Sequence, residues 1–232
     1  MTTPPTPLTL PTFAVRAVLI DLDGTLVDTV RDIAVAVNAM RAEHGRTALD
    51  IATVRSYIGR GTVNLVRRCF APDDAPASAL DGFRRHYQAS NGRQAQVYPG
   101  VAEGLTHLRS LGLKLACVTN KPTAFVHPLL QQTGLHDAFD LIICGDTLPR
   151  NKPDPLPLHH ACTQFGIAPQ QALMIGDSMN DVQAARAAGC PVVCVPYGYT
   201  EGQPLRATDC DAIVPTIAAA ARQIVAAPAL CS

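Results

Sequence analysis

Apolar and polar positions alternate along the chain in two different patterns. Short, almost wholly apolar runs bounded by turn residues predict buried strands at Ala14–Ile20, Leu113–Val118, Phe139–Cys144, Ala172–Ile175 and Val192–Val195. Between the later runs, amphipathic stretches predict helices at Val101–Leu111, Thr123–Thr133, Pro155–Phe165 and Ser178–Ala188. Fully apolar strands that alternate with helices are typical of a doubly wound parallel sheet covered on both faces, so we predict an α/β fold.

One stretch has helical patterns and no predicted strand. Between residues 28 and 96, amphipathic segments separated by glycines and prolines predict helices at Arg31–Glu43, Ile51–Ile58, Thr62–Phe70 and Ala77–Arg93. We therefore predict a core domain of residues 14–27 and 97–232, with residues 28–96 inserted as a helical domain. Residues 1–13 contain four prolines and no basic residue, and they predict a flexible tail rather than a secretory signal.

Composition and charge argue against several classes of protein. The 19 basic and 19 acidic residues balance, whereas a nucleic-acid or anionic-membrane partner would require a broad basic face. No apolar run is long enough to cross a bilayer. We expect a cytoplasmic protein, either a monomer or a homodimer, whose eight cysteines stay free because no CxxC pair is present.

Polar residues follow four of the predicted strands. Residues 21–25 (DLDGT) follow the first strand, and residues 119–121 (TNK) follow the second. Residues 152–155 (KPDP) lie beyond the third strand, and residues 176–181 (GDSMND) end the fourth. Because ligands of open parallel sheets bind beyond the carboxyl ends of the strands, we expect these four segments to meet at one edge.

The chemistry that this set favours is phosphoryl transfer to or from a small phosphorylated metabolite. Asp177 and Asp181 are four residues apart at a predicted helix start, so they share a face. Converging carboxylates repel one another unless a cation lies among them, and oxygen ligands favour Mg²⁺. Thr119, Asn120 and Lys152 can then hold the phosphate oxygens. Each segment alone could be an ordinary turn or helix cap, but all four at strand ends indicate a site.

The four segments, in this order, resemble those of the haloacid dehalogenase superfamily, specifically its phosphatase branch. The matching stretches are residues 21–29 (DLDGTLVDT), 119–121 (TNK), 152–155 (KPDP) and 176–189 (GDSMNDVQAARAAG). The resemblance implies a Rossmann-like core, and it makes residues 28–96 a helical cap domain. It also implies that Asp21 is the nucleophile that becomes phosphorylated, and that Asp23 protonates the leaving oxygen and then activates water.

The same resemblance implies the remaining site residues. Asp21, the backbone carbonyl of Asp23, and Asp177 would hold Mg²⁺, with Asp181 in the outer shell of the metal. Thr119 and Lys152 would bind the phosphoryl group, and the lysine would also steady Asp21. The second acid, Asp23, argues against a dehalogenase, since a halide leaves without a proton.

The substrate follows from a narrower resemblance. Residues 57–68 (YIGRGTVNLVRR) are similar to the cap segment of bacterial phosphoglycolate phosphatases, which implies hydrolysis of 2-phosphoglycolate to glycolate and phosphate. We hypothesise that Arg60 or a nearby arginine pairs with the substrate carboxylate, the alternative being that these arginines are solvated helix residues. A phosphomutase, a sugar-phosphate phosphatase and a pyrophosphatase stay open. A phospho-aspartate receiver or binding protein is disfavoured, because receivers have no inserted cap and no acid two residues after the phosphorylated aspartate.

Overall fold

The computed structural model describes residues 11–70 and 74–228. Its strands are β1 (Phe13–Val15), β2 (Ala17–Ile20), β3 (Val27–Asp28), β4 (Gln96–Val97), β5 (Lys114–Val118), β6 (Leu141–Ile143), β7 (Ala172–Gly176), β8 (Val192–Cys194), β9 (Ala212–Ile213) and β10 (Ile224–Ala226). Its helices are α1 (Val30–Glu43), α2 (Ile51–Tyr57), α3 (Gly61–Arg68), α4 (Ala79–Ser90), α5 (Val101–Ser110), α6 (Thr123–Gln132), α7 (Leu156–Phe165), α8 (Met179–Ala188) and α9 (Ile217–Ala221).

A six-stranded parallel sheet forms the centre of the molecule. Its strand order is β6-β5-β2-β7-β8-β9, so β2 lies in the middle between β5 and β7. Helices connect the parallel strands from β2 to β8 and cover both faces, as the alternating pattern predicted, whereas a loop joins β8 to β9. The predicted doubly wound α/β fold is confirmed.

The two faces of the sheet bury separate clusters, because successive strand residues point to opposite sides. In β2, Val18 and Ile20 join the cluster that contains residues of α5, α6 and α9. Ala17 and Leu19 join the cluster that contains residues of α7 and α8. All four side chains are fully buried, which explains why this strand has an apolar sequence without alternation.

The helices α1–α4 lie between the first and second central strands of the sequence and bury a third apolar cluster of their own. Two side chains from the sheet-bearing part, Phe125 and Tyr199, insert into this cluster. The segment was predicted to contain no strand, and that prediction was wrong at its two ends. Val27–Asp28 and Gln96–Val97 pair as a short antiparallel ribbon where the chain enters and leaves the helical segment.

The first predicted strand also differs from the observed structure. Ala14–Ile20 was expected to be one strand, but it is divided at Arg16 into β1, which pairs with β10, and β2 of the central sheet. Most of the predicted tail lies outside the described residues, although its last member, Phe13, is the first residue of β1. Among the described residues, every helix is too short or too polar to cross a membrane.

Candidate active site

The segments expected to carry chemistry meet around one cavity at the carboxyl edge of the sheet. Asp21 and Asp23 follow β2, Thr119 and Asn120 follow β5, and Lys152 lies just before α7. The α-helical segment closes the opposite side of the cavity with apolar and glycine residues: Ile33, Ile58, Gly59, Gly61, Leu65, Phe83 and Tyr87. The cavity therefore has a polar floor and a largely apolar roof.

Lys152 lies between two carboxylates at the centre of this floor. Its Nζ is 2.9 Å from Asp21 Oδ1 and 2.6 Å from Asp181 Oδ1, and its side chain is only 2% exposed. Burial alone would lower the pKa of Lys152, but Asp181 and Asp21 outweigh it and raise that pKa. The lysine is therefore a permanent cation that fixes the orientation of Asp21.

Three carboxylates form an oxygen-only cluster suited to a hard cation. One oxygen from each of Asp21, Asp177 and Asp181 lies within 4.8 Å of the others. Burial raises the pKa of Asp21 to about 7, with Asp181 adding to the rise and Lys152 opposing it. Burial, Asp21 and Asp181 likewise raise the pKa of Asp177 well above its usual range. A divalent cation among these oxygens would relieve this repulsion, so the residues present fit a metal ion.

The three carboxylates are not equally available to a cation. Asp181 Oδ1 accepts from Lys152, while its Oδ2 accepts from the backbone N–H groups of Asp177 and Ser178 and from the Ser178 hydroxyl at 2.8 Å. Asp181 thus accepts four hydrogen bonds, one of them from an ammonium, whereas Asp177 accepts only two, both from uncharged donors. Asp21 and Asp177 are the better candidates for direct ligands, with Asp181 holding the start of α8 and the lysine beside them.

Asp177 lies just behind the cavity wall and is 1% exposed. Its Oδ1 accepts from the Thr25 hydroxyl at 2.7 Å, and its Oδ2 accepts from the backbone N–H of Tyr199. Gly24 and Gly198 flank it so closely that a Cβ at either position would overlap the carboxylate. The DLDGT glycine, which also has a φ of +91°, is therefore required by the space that Asp177 occupies.

Asp23 is held from two sides. Its Oδ1 accepts from the Thr29 hydroxyl at 2.6 Å and from Lys121 Nζ at 3.0 Å. The same ammonium contacts the hydroxyl of Tyr87, on α4, at 2.5 Å. Burial disfavours the charged form of Lys121, but Asp23 and Tyr87 outweigh it, so the pKa of this lysine is raised as well.

Thr119 and Asn120, two of the three residues expected to hold phosphate, differ in the hydrogen-bond donors that they can offer. The hydroxyl oxygen of Thr119 accepts the backbone N–H of Lys121 at 3.2 Å, so its own hydrogen is left to donate. The side-chain amide of Asn120 instead donates to the carbonyls of Gly59 at 2.9 Å and Lys152 at 2.8 Å. Asn120 therefore ties the floor of the cavity to its roof, and both of its N–H donors are occupied.

Arg60 is a predicted site residue whose side chain the structure directs to a partner outside the cavity. Its Nε pairs with Glu201 Oε2 at 3.0 Å, and its side chain is 55% exposed. Glu201 also meets Arg68 at 3.6 Å and accepts from the Asn180 amide at 2.5 Å. The arginine expected to meet the substrate is thus engaged with a carboxylate on the loop after β8.

Several residues of the site were given no role from the sequence. Lys121 is one of only three lysines in the chain and lies within the TNK segment, so a signal for it existed. Thr25 ends the DLDGT segment and Thr29 ends the longer DLDGTLVDT stretch, but both are ordinary turn-type residues. Tyr87 and Tyr199 carried no signal, because each reaches the site from a distant part of the chain.

Comparisons with known proteins agree with this geometry. The family model described as haloacid dehalogenase-like hydrolase matches residues 18–195. A phosphoglycolate phosphatase of Thiobacillus denitrificans is 50% identical over 217 residues, which cover 90% of this chain and 96% of the relative. A phosphoglycolate phosphatase of Cupriavidus necator is 48% identical over 208 residues, covering 88% of this chain and 90% of the relative.

Solved structures lead to the same family. The crystal structure of a protein described as a predicted phosphoglycolate phosphatase from Haemophilus somnus superposes with a TM-score of 0.81 at 34% identity. The match covers 88% of this chain and 95% of that one. The chain therefore belongs to the haloacid dehalogenase-like hydrolases, and over most of its length it is similar to the phosphoglycolate phosphatases of that family.

Proposed function

We propose that this protein is a Mg²⁺-dependent phosphatase that hydrolyses 2-phosphoglycolate through a phospho-aspartate on Asp21. The observation that carries the proposal is the position of Asp21. Its carboxylate lies 2.9 Å from the buried Lys152 and within 4.8 Å of the oxygens of Asp177 and Asp181, beside a cavity that can hold a small ester. This arrangement gives a nucleophile with a fixed orientation and positive charge on the side where phosphate oxygens would lie.

Two carboxylates divide the reaction between them. Asp21 attacks phosphorus and forms the acyl phosphate, while Asp23 delivers a proton to the departing alcohol oxygen. Asp23 then takes a proton from the water that cleaves the acyl phosphate, which restores both residues. The Thr29 hydroxyl and Lys121 orient Asp23 for these two transfers.

The phosphoryl oxygens are bound by donors on the cavity floor. The Thr119 hydroxyl and the Lys152 ammonium supply hydrogen bonds that strengthen as charge develops on the oxygens. Asp21 and Asp177, with the backbone carbonyl of Asp23, would hold Mg²⁺. When bound, this ion would neutralise the charge on the phosphoryl oxygens and on the carboxylates around it.

The choice of substrate rests on the relatives and on the side chains that line the cavity. The two curated relatives described above carry the name phosphoglycolate phosphatase at 50% and 48% identity. The apolar roof formed by residues such as Phe83 and Leu65 would exclude water from the reacting ester once the cavity is filled. A small metabolite with one phosphate fits these features.

The test is phosphate release from 2-phosphoglycolate with Mg²⁺, measured as kcat/KM against a panel of sugar phosphates and pyrophosphate. We expect a clear preference for 2-phosphoglycolate. Asp21→Asn should lower kcat by roughly 10,000-fold or more, because nucleophile and acid/base act as a unit. The exposed carboxylate Asp137 provides the matched control, Asp137→Asn, which should keep full activity.

Two outcomes would overturn different parts of the proposal. Full activity of Asp21→Asn would refute the covalent step on that residue. Activity concentrated on another ester would keep the chemistry but replace the substrate. Asp23→Asn adds a check on the second step, since it should accumulate phosphorylated Asp21 when the leaving group needs no proton.

A further inference from the structure

A substrate with both a phosphate and a carboxylate brings two anionic groups into the cavity. Lys152 and Mg²⁺ would serve the phosphoryl group, so the carboxylate needs a further cation. Lys152 is already shared between Asp21 at 2.9 Å and Asp181 at 2.6 Å. Among residues 11–70 and 74–228, Lys152 and Lys121 are the only basic side chains that line the cavity. Every lysine and arginine of the chain falls within those ranges. Lys121 is therefore the cation available for the second anionic group.

The arginines of the helical segment nearest the cavity are engaged elsewhere. Arg60 and Arg68 both pair with Glu201, at 3.0 and 3.6 Å. Arg55 donates to the backbone carbonyls of Tyr197 at 2.7 Å and Gly198 at 3.3 Å, and its guanidinium lies over an aromatic ring of the same loop. None of these three guanidinium groups lines the cavity within the described part of the chain.

The Lys121 ammonium has the geometry of an anion-binding group. It contacts Asp23 Oδ1 at 3.0 Å, Asp23 Oδ2 at 3.2 Å and the Tyr87 hydroxyl at 2.5 Å, and its side chain is 4% exposed. An ammonium has three N–H donors, so one remains when a single N–H is shared between the two Asp23 oxygens and a second goes to Tyr87. The Tyr87 ring lies 4.6 Å from the same nitrogen and restricts where that donor can point. A charge-assisted bond to an anion in so buried a place is strong.

The covalent structure of the substrate brings its carboxylate to this lysine. Asp23 must reach the ester oxygen to protonate it, and Lys121 contacts both oxygens of the Asp23 carboxyl group, at 3.0 and 3.2 Å. In 2-phosphoglycolate the carboxylate oxygens are three bonds from that ester oxygen, a span of at most about 4 Å. When the ester oxygen of 2-phosphoglycolate lies beside Asp23, the carboxylate of the same molecule is therefore within reach of Lys121.

We propose that Lys121 binds the carboxylate of the substrate and thereby selects carboxylate-bearing phosphate esters over neutral ones. The inference rests on the proposed function, and it assigns to Lys121 the recognition that the sequence suggested for Arg60. Lys121 acts on specificity through direct contact with the substrate, while its bond to Asp23 keeps the acid beside the leaving group.

The experiment compares two esters that differ only at the recognised group: 2-phosphoglycolate and 2-hydroxyethyl phosphate, in which a hydroxymethyl group replaces the carboxylate. The quantity measured is the ratio of the two kcat/KM values. In Lys121→Gln we expect this ratio to fall roughly 10- to 100-fold, the loss of one charge-assisted hydrogen bond. Lys114→Gln is the matched control, because Lys114 is an exposed lysine that pairs with Asp140 at 3.2 Å away from the cavity.

The outcomes separate this inference from the proposed function. If the wild-type enzyme does not prefer 2-phosphoglycolate, the substrate proposal and this inference both fail. If the wild type prefers it and Lys121→Gln keeps the same ratio while both rates fall equally, Lys121 only positions Asp23 and the inference alone is overturned. Arg60→Gln should keep the wild-type ratio of the two kcat/KM values. A large fall of this ratio in Arg60→Gln would mean that Arg60 binds the substrate carboxylate, and it would overturn the inference. Residual turnover of 2-hydroxyethyl phosphate by Lys121→Gln verifies that the variant is folded.

Discussion

The hydroxyl of Tyr199 occupies the position of a helix cap at the start of α1. Thr29 is the N-cap residue, but its hydroxyl donates to Asp23 at 2.6 Å and does not cap its own helix. The Tyr199 hydroxyl instead accepts from the backbone N–H groups of Thr29 at 2.7 Å and Val30 at 3.0 Å. It also donates to Asp28 Oδ1 at 2.6 Å. One buried oxygen therefore satisfies two helix N–H groups and one carboxylate.

The variant Tyr199→Phe removes this oxygen without opening a cavity, so its effect measures the hydrogen bonds alone. Val30 has a second acceptor, Asp28 Oδ1 at 3.3 Å, whereas Thr29 loses the acceptor of its N–H. A buried donor without an acceptor costs about 1–3 kcal/mol, and the loss of a donor by Asp28 adds a similar amount. After partial relaxation we expect a loss of about 3 kcal/mol in the free energy of unfolding. For a chain of this size, that lowers Tm by about 6–12 °C.

Urea unfolding followed by circular dichroism measures this loss, with Tyr98→Phe as the matched control. The hydroxyl of Tyr98 is buried and has no hydrogen-bond partner among the described residues, so its removal should leave stability unchanged or raise it by up to about 1–3 kcal/mol. Equal unfolding midpoints for the two variants would refute the capping role of Tyr199. The backbone N–H of Tyr199, which donates to Asp177, is unchanged in the variant.

Two further predictions concern the cation site. Because burial raises the pKa of Asp21 to about 7, protons should compete with Mg²⁺ below that pH, and the affinity measured by calorimetry should fall about tenfold per pH unit. Equal affinities at pH 6 and pH 8 would contradict this, and Asp21→Asn should flatten the dependence. In Gly198→Ala the new Cβ would overlap Asp177, so Mg²⁺ affinity should fall about 10- to 100-fold. Gly45→Ala, with nothing within 4 Å of its Cβ, should keep wild-type affinity, and equal affinities in both variants would contradict the overlap.

The central sheet could be predicted from the sequence because its strands are buried on both faces. Residues of β2 such as Val18 and Leu19 contribute to opposite clusters, and this requirement produces a continuous apolar run. The division of the first run at Arg16 could not be predicted. It depends on pairing of Phe13–Val15 with Ile224–Ala226, and no local pattern marks which distant strand supplies the partner.

The candidate site could be predicted as a set of strand ends but not as a set of contacts. The segments with Asp21, Thr119 and Asp177 each follow a parallel strand, and the edge of the sheet brings them together. Arg60 illustrates the limit of predicting contacts from the sequence. An arginine side chain can reach many partners, and the carboxylate that Arg60 pairs with belongs to Glu201, far along the chain. Asn120 illustrates a second limit. Its side-chain amide was expected to face phosphate, but it donates to the backbone carbonyls of Gly59 and Lys152. The catalytic roles of all these residues stay predictions.

The loop after β8, residues 197–201, links the candidate cation site to the helical segment. The backbone N–H of Tyr199 contacts Asp177, and its hydroxyl holds the N-terminus of α1. Arg55 of α2 binds two carbonyls of the same loop, and Glu201 pairs with two arginines at the ends of α3. A movement of the helices away from the sheet must break these ion pairs or displace the loop, and displacing the loop removes a hydrogen-bond donor from Asp177. The position of the helical segment and the geometry of a cation ligand are therefore physically coupled through the loop of residues 197–201.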